Sequence, residues 1–386
     1  MIRCLAGAMV LAIATISGSA QSLDDLNIQI HGYVTEGFLY TTQNNIFTTN
    51  SSNGSPAWAE AVLNVTSQPT PKLRIGVQGR YFLLGNFGDT ISLDWASVDY
   101  KFNERIGVRF GKVKTPQGLY NEIQDIDPAY VWSLLPQGVY PLTSRESLLT
   151  HYGGVVYGTL APAKRLGKFE YRGWGGEQVV PNADGDYVDQ SESGINLAHS
   201  LNTVLFGATL RWKPPLRGFL FGASDSRFQA AQVPLVLNSG GPNQTQFYSP
   251  YDNLYYFGQY DKNKFMFSAE WERQTGTSSL SIPGQALDTT PFDTRGWYGM
   301  TTYKLSGKLT AGVYDSQFFD HQAPLGPDRY QKDWDIAARY DFNQYLYAKA
   351  EQHFIEGTAL GYDNALNPNG LKTNTRLSIL KIGVSF

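Results

Sequence analysis

The chain has 386 residues and a formal net charge of −3. Only 17% of the residues are charged, whereas soluble domains average about 25%. Beyond the N-terminal segment no apolar run approaches the ~20 residues that a membrane-spanning helix requires, which argues against a helical membrane protein. A soluble β-protein and a transmembrane β-barrel both fit this composition, because barrel strands alternate polar and apolar residues and are not hydrophobic on average.

Residues 1–20 have the pattern of a secretory signal peptide. Arg3 gives a positive start, and Leu5–Ile16 is a short apolar run. The small residues SGSA follow, and we expect cleavage after the last of them. The chain is therefore predicted to be exported, with residues 21–386 forming the mature protein.

The single cysteine, Cys4, lies inside the predicted signal peptide. The predicted mature protein therefore has no disulfide and no thiolate metal site. Without Arg3 it carries 30 basic and 34 acidic residues, a net formal charge of −4. Nothing in that balance indicates nucleic acid as a partner, and the sequence predicts no cofactor and no metal.

Sixteen segments have the alternation and the length, about 9–11 residues, of strands that cross a membrane. They are Leu26–Tyr40, Trp58–Thr66, Lys72–Leu84, Thr90–Phe102, Glu104–Lys114, His151–Leu160, Lys168–Gly175, Thr203–Lys213, Arg217–Arg227, Asp252–Tyr260, Lys264–Arg273, Arg295–Lys304, Lys308–Gln317, Trp334–Asp341, Tyr345–Glu356 and Thr375–Phe386. Successive strand residues point to opposite faces, so one face of each segment is suited to lipid and the other to a lumen.

Short turns and long loops alternate along the chain. Pro214-Pro215 and Asp261–Asn263 are short turns, whereas Gly176–Asn202 and Phe228–Tyr251 are long, and Gly85–Asp89 is a short exception. This arrangement is typical of outer-membrane barrels, which close because lipid cannot satisfy a free sheet edge. The sequence therefore predicts an all-β transmembrane antiparallel barrel of about 16 strands. A secreted soluble β-protein is the alternative fold, and the sorted loops argue against it.

Two positions break the alternation. The strand that contains Trp95 changes phase near that residue, and Glu36 falls on the apolar face of the first strand. A β-bulge explains either irregularity. A face buried against another subunit is the other explanation, and the sequence does not choose between them.

Residues 115–150 form the longest segment without alternation. Long loops inside compact folds are uncommon and usually functional. This segment carries three closely spaced acids and then the aromatic residues Tyr130, Trp132 and Tyr140, after a basic strand end. We interpret it as a constriction loop (residues 115–150) that folds into the barrel. Tyr120, Tyr130 and Trp132 are expected to pack this loop on the wall, with stacking on a sugar as the alternative.

The signal peptide, the sixteen strands, the long loop after the fifth strand and the C-terminal segment KIGVSF together resemble the Gram-negative general porins. The segment RFGKVKTPQGLY, residues 109–120, is similar to the strand-to-loop entry of porin relatives. In such porins the third external loop folds inward, and its acids face a basic wall across a water-filled constriction. The resemblance implies loop acids and wall bases at these positions: Glu122, Asp125 and Asp127 on the loop, and Arg74, Arg80 and Arg109 on the wall.

Lys112 and Lys114 are further candidates for the constriction. They share the parity of Phe110, so they face the lumen only if Gly111 forms a bulge. Porins of this kind are usually homotrimers, which the resemblance implies here as well. The second loop, Gly85–Asp89, is too short for the subunit latch that some porins have.

The predicted function is a channel in the Gram-negative outer membrane for passive diffusion of small hydrophilic solutes and ions. A solute-selective channel for anions or carboxylates is one alternative, and a plugged barrel that acts as a receptor, adhesin or enzyme is another. His353 shares a lumen face with Glu351, and Asp320-His321 forms a loop dyad, but no catalytic motif is present, so we predict no enzyme.

Overall fold

The structure is a computed structural model that describes residues 26–181, 194–362 and 364–386. The predicted signal peptide lies outside the described residues. Within the described ranges, no helix is long and apolar enough to cross a membrane.

The described residues form nineteen strands in one antiparallel sheet. They are β1 (Ile28–Thr41), β2 (Ser55–Thr70), β3 (Leu73–Leu84), β4 (Phe87–Asn103), β5 (Ile106–Lys114), β6 (Thr150–Leu160), β7 (Lys168–Val180), β8 (Ile195–Leu197), β9 (Leu201–Lys213), β10 (Phe219–Phe228), β11 (Ala231–Leu237), β12 (Gln244–Tyr248), β13 (Tyr251–Lys262), β14 (Phe265–Ser281), β15 (Asp288–Lys304), β16 (Leu309–Asp320), β17 (Tyr330–Asp341), β18 (Leu346–Gly357) and β19 (Asn374–Ser385). Helical segments are short: single 3₁₀ turns at Ser51–Asn53, Asp127–Ala129, Lys164–Leu166 and Pro327–Arg329, and one α-helical turn, α1 (Arg145–Leu149).

Sixteen of these strands close into a barrel. β1 pairs with both β2 and β19, and each remaining barrel strand pairs with its neighbours in chain order. All sixteen predicted strands correspond to barrel strands, so the predicted fold is confirmed. Closure leaves no free sheet edge in the barrel, as a lipid environment requires.

The short strands β8, β11 and β12 lie in segments that were predicted to be loops. β8 pairs with β11, β11 with β12, and β12 with the end of β14. Val233 and Leu235 of β11 are buried with Val180 and Leu201 at the ends of β7 and β9. These loops therefore extend the sheet beyond the barrel strands. Their apolar side chains cover the apolar residues at the ends of β7 and β9.

The two faces of a barrel strand differ as predicted, as β9 illustrates. Val204, Phe206 and Leu210 are exposed on the outer face, whereas Leu205 and Thr209 point inward and are buried. An exposed apolar band on the outside and a polar, packed interior are what a barrel in a membrane needs.

The two phase irregularities have different origins. Between β3 and β4 the register shifts: Gln78 pairs with Trp95, but Gly79 pairs with Leu93, which leaves Asp94 as the extra residue of a bulge. The pairing of β1 with β2 is regular through Glu36, which is exposed on the outer face. A bulge therefore explains the change of phase near Trp95 and does not explain Glu36.

Candidate functional site: the loop that crosses the barrel

The constriction loop enters the barrel directly after β5 and is fixed at its start. The Thr209 hydroxyl donates to the carbonyl of Pro116, and the amide of Gly118 donates to the Ser224 hydroxyl at 2.8 Å. Gly118 has φ of +61°, a left-handed conformation that favours glycine. The chain therefore turns from the strand into the lumen at this point.

Aromatic residues attach one side of the loop to strands β13–β17. The Trp132 ring contacts the Tyr314 ring edge-on at 5.1 Å between centroids, and the Tyr140 hydroxyl donates to Glu270 at 2.6 Å. Tyr120, Tyr130 and Trp132 are all buried here. They therefore pack the loop on the wall, as predicted, and do not present a free face for stacking.

The same loop also contacts the opposite side of the barrel. Leu134 is buried in a cluster with Leu39, Trp58 and Leu84 of strands β1–β3. The loop thus spans the lumen from one wall to the other.

Asp127 of the constriction loop forms a buried ionic contact with two lysines of the wall. Its carboxylate lies 2.6 Å from Lys381 Nζ and 3.0 Å from Lys349 Nζ, and it accepts a hydrogen bond from the Tyr347 hydroxyl at 2.7 Å. Burial by itself raises the pKa of Asp127, but the attraction of Lys349 and Lys381 outweighs it and holds that pKa below its usual range. Asp127 is therefore an anion locked between two cations of β18 and β19.

Asp125 is held on the neighbouring part of the wall. Lys114 Nζ lies 2.7 Å from its carboxylate, and the Gln78 amide donates to it at 2.6 Å. The Tyr33 hydroxyl donates to the backbone carbonyl of Asp125 at 2.8 Å. This acid is 2% exposed, so it too is enclosed between loop and wall.

Arg145 of α1 attaches the C-terminal end of the constriction loop to the wall. It binds the bulge residue Asp94 through both terminal nitrogens, at 3.0 and 3.2 Å, and it contacts Glu146 at 2.7 Å. Arg80 joins the same network through Glu60 at 2.5 Å and Glu146 at 3.0 Å. The bulge near Trp95 thus places the Asp94 carboxylate within reach of Arg145, at the end of the constriction loop.

The predicted arrangement of acids and bases needs a correction. Asp125, Asp127 and Arg80 do not face opposite charges across water, because each makes a direct and buried ion pair. Lys112 also departs from the prediction: its ammonium contacts the carbonyl of Leu93 and the half-exposed Tyr152 ring rather than the loop acids.

Arg74, Arg109 and Glu122 lie together at another part of the lumen. Arg109 is bound to Asp99 at 2.9 Å and is 3.8 Å from Glu122, which also contacts Arg172 at 3.4 Å. The exposed Arg74 lines the same region.

Three cavities adjoin the constriction loop. One of about 440 Å³ lies between the second half of the loop and the wall around Thr203 and Gln274. One of about 350 Å³ lies under the first half and is rich in basic residues: Arg74, Arg109, Lys114, Arg172 and Arg211, with Asp99 and Glu122 as its acids. Between loop and β1–β3 is a space of about 50 Å³, which holds no more than a few water molecules.

The smallest of these three cavities is lined by charges of both signs. Its lining includes Glu60, Arg80, Asp127, Arg145 and Lys381. Sequence reasoning found Arg80 and Asp127 and missed the other three. Glu60 and Lys381 occupy inward positions of their strands, so strand parity could have found them. Arg145 lies in a segment with no pattern.

In the part of the chain that is described, one group has the spacing of a metal site: Asp335, Glu351 and His353. It was not predicted as a metal site. Its residues belong to β17 and β18, and Glu351 contacts the constriction loop at Ser133 and Leu134.

A closed barrel of sixteen antiparallel strands with an apolar outer face is the architecture of a transmembrane β-barrel. Comparison with solved structures identifies it as the fold of Gram-negative outer-membrane porins. OmpF of Salmonella typhi in complex with daunomycin is 14% identical, with a TM-score of 0.56 over 95% of this chain and 99% of the other. An anion-selective porin from Comamonas acidovorans is 11% identical, with a TM-score of 0.53 over 93% and 99%.

A third similar structure is the trimer form of OmpT, an outer membrane protein of Vibrio cholerae. It is 12% identical, with a TM-score of 0.54 over 93% of this chain and 99% of the other. No protein-family model matches the sequence, and comparison with curated proteins finds no match. At these identities the likeness establishes the fold.

Proposed function

We propose that this chain is an outer-membrane channel through which small hydrophilic solutes and ions diffuse passively, with a preference for anions. The observation that carries the proposal is the constriction loop, which lies between two larger cavities and narrows the lumen to a small space dense in charge. Opposed charges in a narrow, low-dielectric throat favour polar solutes over apolar ones. The proposed role is transport and includes no enzymatic activity.

The preference for anions rests on the basic cavity of about 350 Å³. Five basic side chains line it against two carboxylates. Among the described residues, Arg172 Nη1 and Arg211 Nε are buried without a hydrogen-bond partner. Guanidinium groups remain charged at all relevant pH values and present a planar fork, so the partly exposed Arg109 and Arg172 side chains suit a passing phosphate or carboxylate. One protein of the same fold is an anion-selective porin.

The proposed location is the outer membrane of a Gram-negative bacterium, after export by the N-terminal signal. The exposed apolar outer face of the barrel strands supports contact with lipid. The likeness to outer-membrane porins supports the same location.

The proposed oligomer is a homotrimer. Glu36 points outward between Val34 and Phe38, where a carboxylate in contact with lipid is unfavourable and a subunit contact would shield it. A protein of the same fold forms a trimer. The turn between β3 and β4 contains only Gly85 and Asn86, so no latch from this loop contributes. The mass of the purified protein in detergent tests the assembly, and a mass of one chain would overturn it.

A plugged barrel is the second candidate function. It is favoured by the attachment of the constriction loop to both walls through Trp132, Leu134 and the buried pair of Asp127 with Lys381. Such a barrel would serve as a receptor or adhesin and would not conduct.

Conductance in a planar bilayer distinguishes the two candidates. The refolded mature protein is inserted under a salt gradient, and step conductance and reversal potential are recorded. We expect small discrete steps and a reversal potential on the anion side. A folded barrel without steps would replace the channel with the plugged barrel, and a cation-side potential would remove the anion preference.

A further inference from the structure

Behind the constriction loop, strands β17 and β18 bring three acids around one histidine. Asp335 and His353 are directly opposite each other in the strand pairing. His353 Nε2 lies 3.7 Å from Asp335 Oδ1 and 3.3 Å from Glu351 Oε2. One ligand atom from each of these three residues lies within 4.8 Å of the other two.

Asp335 has no hydrogen-bond partner among the described residues. Both of its carboxylate oxygens are buried and unbonded, and the residue is 0% exposed. Burial of a charge is costly unless a cation or hydrogen bonds compensate it, and the ion-pair partner of Asp335, His353, is 3.7 Å away and shared with two other carboxylates. A carboxylate without hydrogen-bond partners that lies beside an imidazole and a second carboxylate is suited to bind a cation.

The histidine is held in the orientation of a ligand. Its Nδ1 lies 3.0 Å from Asp333 Oδ2, and the Tyr314 hydroxyl donates to the same oxygen at 3.1 Å. When Nδ1–H donates to Asp333, the lone pair of Nε2 points at Asp335 and Glu351. A carboxylate that fixes the far nitrogen of an imidazole is the usual outer shell of a metal-bound histidine.

The charges of the cluster do not balance by themselves. Within the described residues, the ion pairs of Asp333, Asp335 and Glu351 are all made with His353. One imidazolium supplies at most one positive charge against three carboxylates. A metal-bound imidazole is neutral, so a divalent cation at Nε2 would cancel two of the three negative charges, one more than the imidazolium can.

We propose that Asp335, Glu351 and His353 form a binding site for a divalent first-row transition metal ion, with Asp333 as the residue that positions the histidine. One imidazole nitrogen with two carboxylates is a ligand set that Zn²⁺ takes in proteins, whereas Ca²⁺ and Mg²⁺ prefer oxygen ligands alone. The site is structural in this proposal and does not depend on whether the barrel conducts.

Glu351 connects this site to the constriction loop. Its carboxylate accepts the backbone N–H groups of Ser133 and Leu134, which adjoin Trp132. A metal ion that binds the same carboxylate would hold Glu351, the acceptor of both hydrogen bonds, in place on β18. The bound ion therefore pins the middle of the loop to β18.

Metal content and thermal unfolding of the mature protein test the site. The protein is refolded in detergent, stripped with EDTA, dialysed against Zn²⁺ and assayed for bound metal. We expect one Zn²⁺ per chain and a higher unfolding temperature with Zn²⁺ than without, because a ligand of the native state stabilises it. A protein that retains no Zn²⁺, or one that retains Ca²⁺ in preference to Zn²⁺, would overturn the proposal.

Four variants separate ligation from folding. Asp335→Asn and His353→Gln are expected to lose Zn²⁺ binding, and Asp333→Asn to weaken it by about 10- to 100-fold. Asp315→Asn is the matched control, because this half-buried acid on β16 bonds to Gln317 and lies outside the ligand set; it is expected to bind Zn²⁺ as the wild type does.

The stability of the metal-free protein provides a second measurement. Without metal, Asp335→Asn is expected to unfold at a higher temperature than the wild type, because it removes one buried negative charge from three carboxylates that share a single histidine. With Zn²⁺ the order is expected to reverse. Binding of Zn²⁺ by Asp335→Asn with wild-type affinity would refute the assignment.

Discussion

Asp127 of the constriction loop and Lys381 of the last strand form an ion pair of 2.6 Å, although they are 254 residues apart in the chain. The pair links the middle of the loop to β19, which closes the barrel by pairing with β1. Lys349 of β18 contacts the same carboxylate. Movement of the loop away from this wall would leave two buried ammonium groups without their anion.

The first prediction concerns the loss of this anion. Asp127→Asn is expected to lower the free energy of unfolding by about 3–5 kcal/mol, since breaking a buried ion pair leaves its partners uncompensated. The loop should also become less well fixed, so single-channel conductance should rise and fluctuate. Urea unfolding and bilayer recording measure the two effects.

The control for this variant is Asp328→Asn, which removes an acid from an exposed 3₁₀ turn. It is expected to leave stability and conductance unchanged. Equal behaviour of the two variants would show that Asp127 does not anchor the loop.

The second prediction is the pH range in which Asp127 stabilises the protein. Its pKa in the folded protein is held below its usual range, and in the unfolded chain it is about 4. The unfolded chain therefore takes up the proton first as the pH falls, so the contribution is complete above about pH 5 and declines below about pH 4. The difference in unfolding free energy between wild type and Asp127→Asn, measured from about pH 3 to about pH 8, should shrink only at the acid end. A difference that shrinks near neutral pH would contradict this assignment.

The barrel itself could be predicted from sequence, because strand alternation is a local property. The parity of Val204, Phe206 and Leu210 is set by lipid on one side and the lumen on the other, and it holds over each strand. Short loop strands such as β11 were missed because their apolar partners, Val180 and Leu201, come from other segments of the chain.

The position of the loop could be predicted from the sequence, but the ion-pair partners of its acids could not. The presence of Glu122, Asp125 and Asp127 in a long unpatterned segment correctly indicated a loop inside the barrel. Their partners depend on how the loop is folded, which no periodicity encodes. Thus Asp127 binds Lys381, an inward residue at the far end of the chain, rather than the predicted arginines.

The third prediction tests the basic cavity. Arg109→Gln and Arg211→Gln each remove one positive charge from its lining. The anion-to-cation permeability ratio should fall roughly two- to fivefold in each, which corresponds to about 0.5–1 kcal/mol of lost attraction in a wet lumen. Reversal potentials under a salt gradient measure the ratio.

Arg217→Gln is the matched control for these arginines. Arg217 is exposed in the turn between β9 and β10, outside the cavity. Its replacement should not change the reversal potential. If Arg109→Gln and Arg211→Gln also leave it unchanged, the cavity does not set ion preference.

The fourth prediction uses a glycine to probe the contact of the loop with β16. A Cβ atom on Gly312 would lie 2.5 Å from the Trp132 ring and 3.0 Å from Val131, so Gly312→Ala must displace the loop. Overpacking of this kind costs about 1–3 kcal/mol, and it should alter conductance because Trp132 also lines the cavity of about 50 Å³ between the loop and β1–β3. Gly299 on the adjacent strand β15 has nothing within 4 Å of such an atom, so Gly299→Ala is the matched control and should keep wild-type conductance. Urea unfolding measures the stability of both variants, and bilayer recording measures their conductance. Equal effects in the two variants would mean that Trp132 does not hold the loop through this contact.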